Sequence, residues 1–145
     1  MLYIGIKLPR IRRTVIAVLL LITAVLIYAT SDRGAVKCLY TEPDERVAFL
    51  KACGYETEAD FETDTVRIPQ VFSEVYKQYN ELQKDQGYDL TLFSGMTVTR
   101  YTYTVTNYPS DDTVLAHLLV YDGVIIGGDV MSTALDGFML PLKGN

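Results

Sequence analysis

Between Arg13 and Asp32 the chain runs for 18 residues without a charge, TVIAVLLLITAVLIYATS. A helix of that length, at about 1.5 Å rise per residue, reaches roughly 27 Å and suits the hydrocarbon core of a thin bilayer. Lys7, Arg10, Arg12 and Arg13 precede the run, and no acidic residue does. The positive-inside rule then keeps residues 1–13 in the cytoplasm as a basic stub and exports everything after residue 31. The alternative is a cleaved secretory signal, because residues 29–31 offer small side chains at an A-x-A-like site. The run is longer than a typical signal core of about 7–15 residues, which favours a transmembrane helix over residues 14–31. The expected location is the cell membrane, single-pass, with the C-terminal part extracellular and the membrane itself as a partner.

The rest of the 145 residues is enough for one domain with one core. We divide it into a linker over 32–42 and an extracytoplasmic domain over 43–145. The first 31 residues hold four of the 13 basic groups and none of the 18 acidic ones, so the remainder is strongly acidic. Such a domain lacks the basic footprint of a nucleic-acid binder and is repelled by anionic headgroups. Cys38 and Cys53 are the two cysteines. In an oxidising compartment they can form a disulfide, which would contribute about 3 kcal/mol by loop closure; equally, Cys53 can be a half-buried apolar residue at a helix end and Cys38 an exposed thiol.

The sequence around Thr41-Glu42-Pro43-Asp44 predicts a helix start, with the Thr41 hydroxyl as cap and Pro43 in the first turn. That helix runs to about Cys53, with Val47, Leu50 and Cys53 on one face, and stops at Gly54. Short strands are expected near 55–58 and 65–68. A second helix follows, because Phe72, Val75, Tyr76, Tyr79 and Leu82 recur at helical spacing while Glu74, Lys77, Gln78, Glu81, Lys84 and Asp85 face away; Gly87 ends it. From Tyr88 the period falls to two. Strands are predicted over 88–93, 96–108, 114–121 and 124–133, the last two joined across Asp122-Gly123. In the long strand Tyr101, Tyr103 and Val105 share one face, and a bulge near Thr99-Arg100 would bring Met96 and Val98 into phase with them.

Several of these residues carry a resemblance: Ile68-Pro69, Phe72, Tyr76, Tyr79-Asn80, Gln83, Gly87-Tyr88-Asp89-Leu90, Gly95, Arg100-Tyr101, Tyr103, Asn107-Tyr108 and Ile126-Gly127-Gly128-Asp129-Val130. Together they make the stretch from about Arg46 to Leu140 similar to an uncharacterised family of Gram-positive bacteria, domain of unknown function 4830. The resemblance implies a small membrane-anchored extracytoplasmic protein and names no ligand. Cys53-Gly54-Tyr55 departs from the family's pattern, so the resemblance does not extend to a disulfide.

Little in the residues points to catalysis. His117 is the only histidine, lies in an apolar strand, and reads as a satisfied half-buried side chain rather than one of the three or four converging ligands a zinc site needs. No serine has a nucleophile-elbow context and no glycine-rich loop cradles phosphate. We expect neither enzyme activity nor a cofactor. Nine tyrosines lie beyond residue 31, with no tryptophan in the chain; on strands they read as cross-strand packing, with an exposed tyrosine-lined groove for a peptide or glycan as the alternative. The most suspect stretch is Gly127-Gly128-Asp129. Glycines inside a strand mark a bulge or a close approach, here by a ring such as Tyr101 or Tyr103, with Asp129 tied to a backbone amide or Arg100; the other reading is a contact with a ligand or partner.

The expected fold is α+β: two amphipathic helices on one face of an antiparallel meander of about four to five strands, behind a single N-terminal transmembrane helix. The expected role is a binding or sensing module of the bacterial cell envelope, facing an envelope protein, peptide or glycan. The alternative is a structural or assembly subunit of a membrane complex, with a small envelope hydrolase third. Candidate interaction residues are Gly127, Gly128, Asp129, Tyr101 and Tyr103.

Overall fold

Apolar side chains on both faces of one strand dictate this architecture. In the computed structural model, which describes residues 40–143, strand β3 (Val114–Tyr121) sits at the centre of a five-stranded antiparallel sheet. The sheet is a meander in the order β1 (Thr57–Arg67), β2 (Thr97–Val105), β3, β4 (Val124–Ser132) and β5 (Met139–Pro141). The β3–β4 hairpin turns at Asp122 (φ 48°) and Gly123 (φ 73°), the paired positive φ that a type I′ turn requires. Helix α1 (Pro43–Ala52) precedes the sheet, and helix α2 (Glu74–Lys84) lies in the crossover between β1 and β2.

The helices do not share a face. Val114, Ala116, Leu118 and Val120 point to one side of β3 and pack with Leu50 of α1, whereas Leu119 points to the other and packs with Ile68, Leu90 and the half-buried Phe72, Tyr76 and Tyr79 around α2. The expectation of two helices on one face is therefore corrected to one helix on each. The physical reason is that strands apolar on both faces need cover on both.

Local differences follow from side chains that periodicity cannot weigh. The two short strands expected near 55–58 and 65–68 are one strand, β1, carried across by a register shift between Thr57 and Phe61. Residues 90–93 form a 3-10 turn instead of a strand, because the Asp89 carboxylate accepts from Thr91 N and Asn80 Oδ1 accepts from Leu90 N. No register shift lies at Thr99-Arg100; the bulge is on β4, where Leu119 pairs with Gly127 and Val120 with Ile125, so Ile126 is the extra residue. Helix α1 is capped at Glu42, whose N–H donates to Glu45 Oε2, and not by the Thr41 hydroxyl. Val75, placed in the apolar stripe of α2 by spacing, is 77% exposed, and the fully buried positions of that helix are Asn80 and Gln83.

Among the described residues no helix is long and apolar enough to cross a membrane. The basic stub 1–13, the expected span 14–31, Cys38 and most of the expected linker lie outside the described residues. Tyr40 and Thr41, within that linker, are docked: Tyr40 N donates to Gly123 O and Thr41 O accepts from Arg46. Cys53 is half-buried with a free thiol, which burial pushes upward in pKa against the lowering charge of Lys143.

Candidate functional site

Antiparallel register lines up side chains across a sheet, and one such row carries the polar chemistry of this domain. Glu62 pairs with Thr102, Thr102 with His117, and His117 with Asp129, so all four side chains stand on the α2 face. At the end of the row Asp129 is 2% exposed. Its Oδ1 accepts the Tyr79 hydroxyl at 2.8 Å and its Oδ2 lies 3.0 Å from His117 Nδ1. A carboxylate is an acceptor, so Nδ1 carries the proton that His117 donates to Asp129. His117 is only 8% exposed, and Nε2 has no hydrogen-bond partner among the described residues. Burial, followed by the Asp129 charge, drives the Tyr79 phenol far above its ordinary pKa, so Tyr79 remains a donor to Asp129.

One row over, Arg100 Nε and Nη2 grip both oxygens of Asp64, at 3.0 and 2.5 Å. The guanidinium holds the Asp64 carboxyl below its usual range, and the pair is largely exposed, which limits its worth to fractions of a kcal/mol. Arg100, His117, Asp129 and Tyr79 line a cavity of about 180 Å³. Tyr76, Tyr79 and Met139 also border a larger apolar groove of about 430 Å³ against Val75 and Leu82. Among the described residues no group of three or more His, Cys, Asp or Glu side chains could hold a metal ion.

The suspected glycines sit beneath α2 for a reason that the sequence did not disclose. Gly128 N donates to Gln83 Oε1 at 2.8 Å, while Gln86 Nε2 donates to Gly128 O at 3.0 Å and Gln86 Oε1 accepts from Leu142 N at 2.8 Å. The β4–β5 ladder stops at Asp129 and Pro141, and these two glutamines continue its hydrogen bonding with side-chain amides. A Cβ on Gly127 would meet Gln83 Oε1 at 2.9 Å; one on Gly128 would collide with the His117 carbonyl and Leu142. The close approach is thus by amide side chains and by the chain itself, and not by a tyrosine ring.

Tyr101 and Tyr103 are not brought to Asp129. They lie on the opposite face, where they surround Arg46, a 2% exposed arginine. Its Nε donates to Tyr103 Oη at 2.9 Å, its Nη1 donates to the Tyr40 and Thr41 carbonyls, and its guanidinium carbon lies 3.8 Å from the Tyr101 ring centroid and 5.0 Å from that of Phe61. Nor is Asp129 tied to Arg100 or a backbone amide; Tyr79 and His117 hold it. The candidate residues therefore split into Gly127, Gly128 and Asp129 at the α2 face and Tyr101 and Tyr103 in an arginine-centred cluster behind the sheet. Sequence reading missed Arg46, Gln83 and Gln86. The available signal was the place of Gln83, four residues after Tyr79 and so on the same face of α2, with Gln86 three residues further in the turn that follows the helix.

Buried phenols make the fold sensitive to alkali. Burial first, then charge on Cys53 and Tyr40, pushes Tyr88 up to about 12, above the ordinary tyrosine value near 10. A pKa raised in the folded state means that its contribution is fully present below about pH 10 and is lost as pH rises through about 12. Tyrosinate absorbance followed with circular dichroism should show Tyr79 and Tyr88 ionising only as the fold is lost. A smooth titration of every tyrosine near pH 10 with unchanged dichroism would contradict these environments.

No curated protein and no solved structure matches this chain. One family does, over residues 49–130, which takes in α1 from Phe49, both rows of the α2 face and β4 through Val130. That match covers more than half of the 145 residues, and the chain belongs to the family described as Domain of unknown function (DUF4830).

Proposed function

We propose that this protein is a membrane-anchored extracytoplasmic binding or sensing module of the bacterial cell envelope, tethered by residues 14–31. The observation that carries the binding reading is the cavity lined by Arg100, His117, Asp129 and Tyr79, which shares Tyr76, Tyr79 and Met139 with the apolar groove of α2. A few polar groups set in an apolar concavity are the usual composition of a ligand site. The anchor rests on the charge asymmetry around the uncharged run. The alternative role, a structural or assembly subunit, draws on exposed apolar side chains such as Val75 and Leu135.

The test has two arms. An exported phosphatase fused after Asn145 should be active and a cytosolic fluorescent protein at the same position dark; the reverse pattern removes the anchor. The full chain in detergent should bind small fragments in ligand-observed NMR, and Leu119→Trp, which fills the cavity, should abolish their signals. Fragment binding unaffected by that substitution would remove the site.

A further inference from the structure

Helix α2 carries its charges in an order that is complementary to itself. At 3.6 residues per turn Glu74, Lys77, Glu81 and Lys84 fall within an arc of about 80°, and all four side chains are exposed. Glu74 and Lys84 stand five residues either side of Tyr79, and Lys77 and Glu81 stand two either side. A second α2 laid antiparallel across the first about Tyr79 would set each glutamate opposite a lysine. Beside this ridge Gln78, Leu82 and Val75 occupy the next arc of about 60° and line the groove of about 430 Å³, which Met139 lines as well. Val75 is 77% exposed and Met139 46%.

We propose that this face of α2 docks a second copy of the chain, the two helices running antiparallel about a two-fold axis near Tyr79. A two-fold contact needs a surface that is its own complement, and α2 matches itself in charge and in shape. Glu74 meets the second copy's Lys84, and Lys77 meets the second copy's Glu81. Each pair within the helix, Glu74 with Lys77 at 3.3 Å and Glu81 with Lys84 at 2.9 Å, becomes half of a neutral cluster of four charges. Val75 lies four residues before Tyr79 and Leu82 three after, so the exposed Val75 of each copy enters the other's groove against Leu82. That burial removes apolar surface from water on both copies. The rest of the domain selects against other faces, because it is strongly acidic and an edge such as β1 would set Glu58, Asp60 and Glu62 against the same carboxylates. The four charges of the α2 ridge cancel. One pair of 11-residue helices is a small interface, so the dimer is a weak one.

The experiment is sedimentation velocity of the full chain in non-ionic detergent over a concentration series. The wild type should pass from monomer to dimer as concentration rises, and Val75→Glu, at an exposed position, should weaken that association about tenfold or more. Two double variants of identical composition test the register. Glu74→Lys with Lys84→Glu keeps every pair across the interface opposite in sign and should dimerise like the wild type. Glu74→Lys with Lys77→Glu sets like charges against each other throughout and should weaken the dimer about tenfold or more. Helix stability runs the other way, since only the second variant keeps its opposite charges paired within the helix, so a folding defect would not reproduce this order. A wild type that stays monomeric at every concentration overturns the second copy as occupant. A dimer indifferent to Val75→Glu and to both double variants is held elsewhere in the chain and overturns the α2 interface. Equal weakening by the two double variants overturns the antiparallel register. Fragment binding in the cavity is read separately and stands or falls without the dimer.

Discussion

Arg46→Ala should destabilise the domain by about 3–5 kcal/mol in denaturant unfolding, the largest effect expected of any single side chain here. The guanidinium is buried and forms no ion pair with a carboxylate among the described residues, so its charge is balanced by the π faces of Tyr101 and Phe61 and by the Tyr40 and Thr41 carbonyls. Truncation leaves the Tyr103 hydroxyl and both carbonyls without their donor and opens a cavity between two rings. Arg46→Lys should rescue little, because an ammonium cannot stack on one ring while reaching a hydroxyl and two carbonyls in different directions. Since those carbonyls belong to residues 40 and 41, protease cleavage near Tyr40 should also become faster in the variant. A loss under about 1 kcal/mol for Arg46→Ala would mean that the aromatic cluster holds itself together without its cation.

Gly128→Ala should cost about 3 kcal/mol, at the upper end for overpacking. The new methyl would meet the His117 backbone carbonyl, which belongs to the central strand and cannot swing aside, and the fully buried Leu142. Any shift of β4 that relieves this contact also pulls Gly128 from the amides of Gln83 and Gln86. Gly127→Ala is the control. Its methyl meets the Gln83 amide oxygen and a Leu90 methyl, both at the ends of side chains, so a loss nearer 1 kcal/mol is expected. Because Gln83 Oε1 is fixed by the Gly128 N–H, the two substitutions should be non-additive in a double-mutant cycle. Equal losses at the two positions would show that the glycines serve backbone flexibility and not space.

Some signals local in sequence were read correctly. Gly54 and Gly87 end their helices with φ of 95° and 86°, the Asp122-Gly123 turn sets the hairpin, and the period-two runs of β2, β3 and β4 are strands of one meander. Each is decided by the φ that a residue tolerates or by alternation over a few residues, which neighbours in sequence fix by themselves. The site was only half legible. Glycines in a β-branched run flagged Gly127 and Gly128, and the carboxylate after them was the right one, but its partners could not be named from spacing: Tyr79 is 50 residues away and His117 is 12.

The chain's order and chemistry, with the positive flank and uncharged run at one end and the acidic domain after them, are properties of sequence alone, since charge and hydropathy add along a chain whatever its fold. Tertiary structure decided the rest. It placed one helix on each face of the sheet, buried Arg46 among rings that a polar helix face gave no reason to expect, and made Gln83 and Gln86 the hydrogen-bond partners of Gly128. It also lined up Glu62, Thr102, His117 and Asp129 across four strands. A polar side chain is buried only where partners from distant segments replace its water, and cross-strand register is set by how strands meet, so neither quantity exists until the chain has closed on itself.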